Sequence, residues 1–166
     1  MNILYLSLLA LFALLQMNVN PKATSTLANQ YCNGRFGYCI DYPANVLTPQ
    51  EEAQNGDGRR FTNKKGEVIL TVFGRLNQDA NGDPLTLQQQ FALDVGSLEK
   101  AGASTVITYK KKGANFYVLS GTKENKVFYH KMIIKEDAFC FALLEYPKAE
   151  KQTYDAYSKV VFDTFK

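Results

Sequence analysis

Residues 104–145 read STVITYKKKGANFYVLSGTKENKVFYHKMIIKEDAFCFALLE, and this stretch decides the fold. Four runs rich in Val, Ile, Phe and Tyr stand out in it: Ser104–Lys110, Asn115–Gly121, Lys126–Lys135 and Ala138–Glu145. β-branched and aromatic residues favour strands, and each run has strand length. The connections Lys112-Gly113-Ala114, Thr122–Asn125 and Glu136-Asp137 are too short for a crossover, which needs a dozen residues or more. Consecutive strands must therefore lie antiparallel, as a meander.

On the C-terminal side, Tyr154, Tyr157, Val161 and Phe165 recur at helical spacing, so a helix is expected over about Ala149–Phe165. Upstream, Leu87, Phe91, Val95 and Leu98 form a second helical stripe. Thr86 and Gln89 have the spacing of a capping box, and Gly102 suits the helix end. Before that helix, Arg59–Asn63 and Glu67–Gly74 read as a hairpin turning at Lys64-Lys65-Gly66. In the second of these, Val68, Leu70 and Val72 face one way and Ile69 and Phe73 the other, the pattern of a strand covered on both sides. Arg35–Tyr42 carries Phe36, Tyr38, Ile40 and Tyr42 on one face and stops at Pro43, so it reads as the first strand. Ala44–Gly58 is polar, closes on Asn55-Gly56-Asp57-Gly58, and reads as a loop; Arg75–Pro84 reads as another. The expected order is β-β-β-α-β-β-β-β-α: an α+β chain with an antiparallel β-sheet and two main helices packed on it.

The chain begins with Ile3–Leu15, an apolar run interrupted only by Ser7. Such a run has the length of a secretory h-region and falls short of the roughly 20 residues that span a bilayer. A signal peptide over residues 1–28 is expected, with cleavage somewhere in 23–28 and one globular domain over 29–166. The n-region lacks Lys and Arg, so an uncleaved leader acting as a membrane tether is the alternative. The leader's only charged side chain is Lys22; without it the net charge falls from +3 to about +2. That is too little for the basic stripe of a nucleic-acid binder.

Export makes the cysteines interpretable. Cys32, Cys39 and Cys140 are three in number, so one bridge and one spare thiol are expected in an oxidising compartment. Cys32 and Cys39 bracket six residues and close easily, so they are the favoured pair. A tight two-residue turn at Asn33-Gly34 would instead set Cys32 opposite Arg35 and open the way to Cys39–Cys140. The third thiol, in an apolar strand, is expected to be buried and inert.

The combination Arg35-Phe36-Gly37-Tyr38, Ile40-Asp41-Tyr42-Pro43 and Asn55-Gly56-Asp57-Gly58-Arg59-Arg60-Phe61 resembles a group of uncharacterised exported bacterial proteins. The likeness extends through Leu70–Gly74, Ser120-Gly121, Phe128-Tyr129 and Glu145-Tyr146-Pro147. The element order is similar to the PsbP-like sandwich, a fold found in a photosystem accessory subunit and in a small Ran-binding import factor. The resemblance implies a non-enzymatic binding or assembly role and names no ligand.

Chemistry-bearing residues are few. His130 is the only histidine, so zinc sites and Ser-His-Asp or Cys-His catalysis would all draw on one imidazole. On its strand it shares a face with Phe128, Met132 and Ile134, where a satisfied, partly buried histidine is the ordinary outcome. Asp79-Ala80-Asn81-Gly82-Asp83 begins like a calcium loop, but Pro84 and Gln90 stand where Gly and a bidentate Glu are required. Neither a metal nor a cofactor is expected. Arg59, Arg60, Lys64 and Lys65 cluster around one hairpin and form a candidate anion or partner surface. The expected role is an exported, periplasmic or secreted protein that binds another protein or a small ligand in the bacterial envelope. A small extracytoplasmic hydrolase using His130, and an immunity-type protein neutralising a toxin in the periplasm, are the alternatives. Thiol counting on the denatured exported protein should give one free thiol, and intact mass should show loss of the leader. Three free thiols would remove the argument for an oxidising compartment.

Overall fold

The structure is a computed structural model that describes residues 28–102 and 104–166. The expected signal segment therefore lies, but for its last residue, outside the described residues. Nine strands and two α-helices follow one another: β1 (Ala28–Cys32), β2 (Cys39–Pro43), β3 (Thr48–Glu52), β4 (Gly58–Thr62), β5 (Val68–Leu76), α1 (Leu87–Lys100), β6 (Thr105–Lys112), β7 (Phe116–Lys123), β8 (Lys126–Lys135), β9 (Ala138–Pro147) and α2 (Lys151–Thr164). A seven-stranded antiparallel sheet has the order β3-β4-β5-β9-β8-β7-β6, and β1 and β2 form a separate hairpin. The α+β sandwich and the meander β6–β9 are as the sequence predicts.

Two strands are additional to that reading, and one is shorter. β3 lies inside the stretch expected to be a loop. Its TPQEE sequence has no apolar alternation, because it is an edge strand and mostly exposed. β1 precedes the first expected strand. The strand expected over Arg35–Tyr42 starts only at Cys39, because residues 33–38 form a loop in which Gly37 takes φ +65°.

Asn33 organises that loop. Its Oδ1 accepts from the Arg35 and Phe36 amides at 3.1 and 2.8 Å. Its amide group, with two hydrogens to give, lies 2.9 Å from both Glu52 Oε1 and Gly56 O, and 3.1 Å from the Tyr31 hydroxyl. The Tyr31 hydroxyl itself donates to Glu52 at 2.7 Å. A buried side chain thus ties the loop to the β3–β4 turn. Directly across the hairpin, Cys32 and Cys39 are register partners with their sulfurs 2.05 Å apart, while Cys140 is free and buried. Phe36 lies on Gly74, where an added Cβ would sit 2.5 Å from its ring.

The sheet carries a core on each side. On the hairpin face, Tyr31, Tyr38, Tyr42 and Ile40 pack with Phe61, Leu70 and Val72, and α2 adds Tyr154, Val161 and Phe165. Lys131 closes the end of α2 by donating to Phe162 O and Phe165 O at 2.6 and 3.1 Å. Lys166 then pairs with Cys39 through two backbone hydrogen bonds. On the other face, α1 sets Leu87, Phe91, Val95 and Leu98 against Tyr117, Leu119, Phe139 and Phe141. The expected capping box is present: Thr86 Oγ1 accepts from Gln89 N at 3.2 Å, and Gln89 Oε1 accepts from Thr86 N at 2.8 Å. Asn33→Ala would strand buried polar groups and should destabilise the protein by about 2–4 kcal/mol in urea unfolding. A loss under about 0.5 kcal/mol, within the range of an ordinary surface substitution, would show that the loop is held by other contacts.

Candidate functional site

Successive side chains on a regular strand point to opposite faces, so register assigns residues to one side. An irregularity between Phe61 and Thr62 breaks the alternation expected for Val68 and Ile69, so that Val68 opens to the α1 side and Ile69 joins the hairpin-face core. Arg60 pairs with Thr71, Thr71 with Leu143, and Leu143 with His130. This row lies on the α1 face, as does Phe73, which stacks on Phe141 with ring centroids 4.8 Å apart. Beyond Phe73, towards β3, α1 no longer covers the sheet. The result is an open groove of about 1040 Å³ whose lining includes Gln50, Glu51, Arg60, Val68, Thr71 and Phe73. Gln50 donates to Thr62 Oγ1 at 2.7 Å across its floor. Val68, 41% exposed, and Phe73 supply apolar surface. Among the described residues, Arg60 and Glu51 make no ion pair or side-chain hydrogen bond.

The four cations expected to share a surface are separated. Arg59 also borders the large groove, but its guanidinium turns to the hairpin face, stacking 4.8 Å over Tyr31 and lying 3.8 Å from Glu52. Lys65 pairs with Glu150 at 2.6 Å. Lys64 and Lys65 line a smaller groove of about 210 Å³ with Asn63 and Tyr154, at the start of α2. Among the described residues, Arg60 is the groove-lining cation without an ion-pair partner.

His130 sits at the other end of the same row. Its Nε2 is 2.8 Å from Glu145 Oε1, and its ring lies 5.0 Å from Phe128. The pair is half-buried, and the hydrogen bond from His130 holds the Glu145 carboxyl below its usual range against the opposing effect of burial. A carboxylate oriented on an imidazole is two-thirds of a hydrolytic triad. However, His130 lines neither groove, and among the described residues its one side-chain hydrogen bond is to Glu145.

Sequence reasoning missed a polar network under α1. Asp94 accepts from Gln90 Nε2 at 2.7 Å and from the Tyr117 hydroxyl, and Arg75 donates to Gln90. The Arg75 guanidinium also lies 5.4 Å over Phe139 and 5.7 Å over Phe141. Burial pushes the Asp94 carboxyl up from its usual range. The available signal was Gln90 and Asp94 at i,i+4 beside the apolar stripe of the helix. This network anchors α1 to β5 and β7. Burial likewise pushes the Cys140 thiol up to about 11, which keeps it in the unreactive thiol form at neutral pH. No group of three or more metal-ligating side chains comes together among the described residues, and none of their helices is long and apolar enough to cross a membrane.

No protein-family model and no curated protein matches the chain. Among solved structures, it is similar to cyanobacterial PsbP (CyanoP) from Synechocystis sp. PCC 6803. The TM-score is 0.60 at 12% identity, over 87% of this chain and 95% of that one. The chain has the PsbP-like fold. At this identity the PsbP-like likeness concerns the arrangement of strands and helices, so ligand and partner must be argued from the grooves.

The depressed Glu145 carboxyl has a consequence for pH. A carboxylate whose folded value lies below its unfolded one stabilises the protein above the unfolded value, about 4.3, and this is lost as pH falls through the folded value. Glu145→Gln should therefore flatten the acid limb of a stability–pH profile below about pH 4.3. An unchanged acid limb would mean that the His130–Glu145 pair contributes nothing to folding.

Proposed function

We propose that this protein is an exported binding or accessory protein of the bacterial envelope, without enzymatic activity, and that it takes a partner protein in the groove over β3–β5. The observation that carries this reading is the groove itself. It joins apolar floor residues, Val68 and Phe73, to a guanidinium, Arg60, and a carboxylate, Glu51, that make no ion pair among the described residues. Apolar surface with a few oriented charges is the composition of a recognition surface. Catalytic groups do not converge there: the one imidazole of the chain is engaged with Glu145 and lies outside the groove. The resemblance to PsbP-like proteins supports the same class of role. The apolar leader, with residues 1–28 as signal and 29–166 as the working domain, supports a periplasmic or secreted location. The Cys32–Cys39 pair suits an oxidising compartment.

The His130–Glu145 geometry keeps the small-hydrolase reading specific enough to test against this one. Tagged protein recovered from the envelope should retain a bound partner as wild type and as His130→Ala. Arg60→Glu should weaken that capture about tenfold through a like-charge contact at the interface. Absence of any captured partner, together with a hydrolytic activity lost in His130→Ala, would replace the binding reading with the enzymatic one.

A further inference from the structure

The two faces of the sheet are covered unequally, and the gaps fall at opposite ends. On the α1 face the gap is the groove over β3–β5; on the hairpin face it lies over β6. Register sets Val106 opposite Thr122, Tyr109 opposite Ser120 and Lys111 opposite Val118, so all three point to the hairpin face. Val106 is 54% exposed and Tyr109 49%. The other side of β6 is occupied. Ile107 joins the α1 core, Lys110 reaches Glu99 at 3.5 Å, and Lys112 lies 4.8 Å over the Phe91 ring while donating to Gln88.

β6 is also an edge strand, with one side of its backbone unpaired among the described residues. The opposite edge, β3, has five residues, contains Pro49, and uses Glu52 internally. β6 has eight residues and no proline. A bulge between Ile107 and Tyr109 and three lysines discourage pairing with a second copy of the strand, which would bring no carboxylates to them. A strand that was merely guarded would not also present two large apolar side chains. Of its three consecutive lysines only Lys110 meets a carboxylate; Lys111 makes no ion pair or side-chain hydrogen bond among the described residues. At the other end, Lys123 stands opposite Thr105, with Glu124 in the same turn.

We propose that β6 accepts an extended acidic segment of a partner protein as an eighth strand of the sheet. The unpaired backbone groups would supply the main-chain hydrogen bonds. Val106 and Tyr109 would pack against apolar side chains on one face, and Lys110–Lys112 would select carboxylates. This inference rests on the reading of the chain as a binding protein, and it places a contact at the end of the sheet remote from the Arg60 groove.

The probe is a fluorescein-labelled peptide of eight residues in which glutamate alternates with valine and tyrosine, titrated into the isotopically labelled exported protein. Amide shifts should concentrate on Thr105–Lys112 and the adjoining β7. Affinity should fall about tenfold between roughly 50 and 300 mM salt, and about tenfold in Lys110→Glu/Lys111→Glu, because both changes weaken the same charge attraction. N-methylation of alternate peptide amides, which removes the donors an added strand needs, should abolish binding. Binding that survives N-methylation, or that ignores the lysine changes, overturns the β6 proposal, as does absence of binding at millimolar peptide. Shifts centred on Arg60, Thr71 and Phe73 would likewise discard the added strand while supporting the groove as the binding site. Partner capture by the whole protein decides the broader reading independently of the peptide.

Discussion

Burial of β9 on both faces is the constraint on which the rest of the structure depends. It lies in the middle of the sheet, between β5 and β8, and seven of its ten residues are buried, so neither face can be left to water. Its sequence answers the two faces differently. Ala138, Cys140 and Ala142 point to the hairpin face, where small side chains leave room for the aromatic layer brought by β1, β2 and α2. Phe139, Phe141 and Leu143 point to the α1 face, where a single helix leaves more volume to fill. Each large apolar side chain kept from water contributes on the order of 1.5–3 kcal/mol. A strand so placed requires two covering layers, and the two helices and the hairpin are the elements that supply them.

The hairpin layer is the more elaborate, because a two-stranded hairpin is marginal alone. Several independent ties hold it down. The Cys32–Cys39 pair closes its loop, Asn33 links that loop to the β3–β4 turn, and Phe36 lies against Gly74. Lys166 adds a backbone bridge to the outer side of β2. The segment after α2 is thereby made part of the layer, and Lys131 fixes where α2 delivers it. A short-loop disulfide contributes about 2–3 kcal/mol by limiting the unfolded chain, so it works alongside these contacts and does not replace them.

How much of this was legible in the sequence follows from which signals are local. The meander and both helices could be read because apolar periodicity is strong there, and the Thr86–Gln89 capping box even fixed a helix start. β3 could not, since an exposed edge strand has no apolar face to betray it. The cations divide between two grooves, and the guanidiniums of Arg59 and Arg60 part, for a reason the sequence already contained. Arg59 and Arg60 are neighbours on a strand, so they must point to opposite faces, and proximity along the chain misleads. The His130–Glu145 contact was recoverable in principle. The two-residue turn Glu136-Asp137 sets Lys135 opposite Ala138, and counting back sets Phe128 opposite Glu145 and His130 one diagonal away. The Asp94 network needed tertiary knowledge, because nothing in the helix says which strand tyrosine it will meet.

The two uncovered regions follow from the widths of the layers. Seven strands at about 4.8 Å spacing make a sheet roughly 29 Å across, whereas a helix with its side chains is about 10–12 Å wide. One helix cannot cover such a sheet, and α1 packs over the β6–β9 side, leaving β3–β5 open. On the hairpin face the β1–β2 hairpin covers β4 and β5, through Tyr31 and Tyr42 on Phe61 and Phe36 on Gly74. There α2 covers β9 and β8, through Tyr154 on Tyr146 and Phe162 on Tyr129. What is left bare on that side is β6, with Val106 and Tyr109. The connection from β5 through α1 carries the chain past β9, β8 and β7 to the far edge at β6, so the gaps fall at opposite ends and on opposite faces. A fold that buries its centre on both sides therefore offers two separated surfaces of different chemistry: a groove with paired signs of charge around Arg60, and a basic edge at Lys110–Lys112.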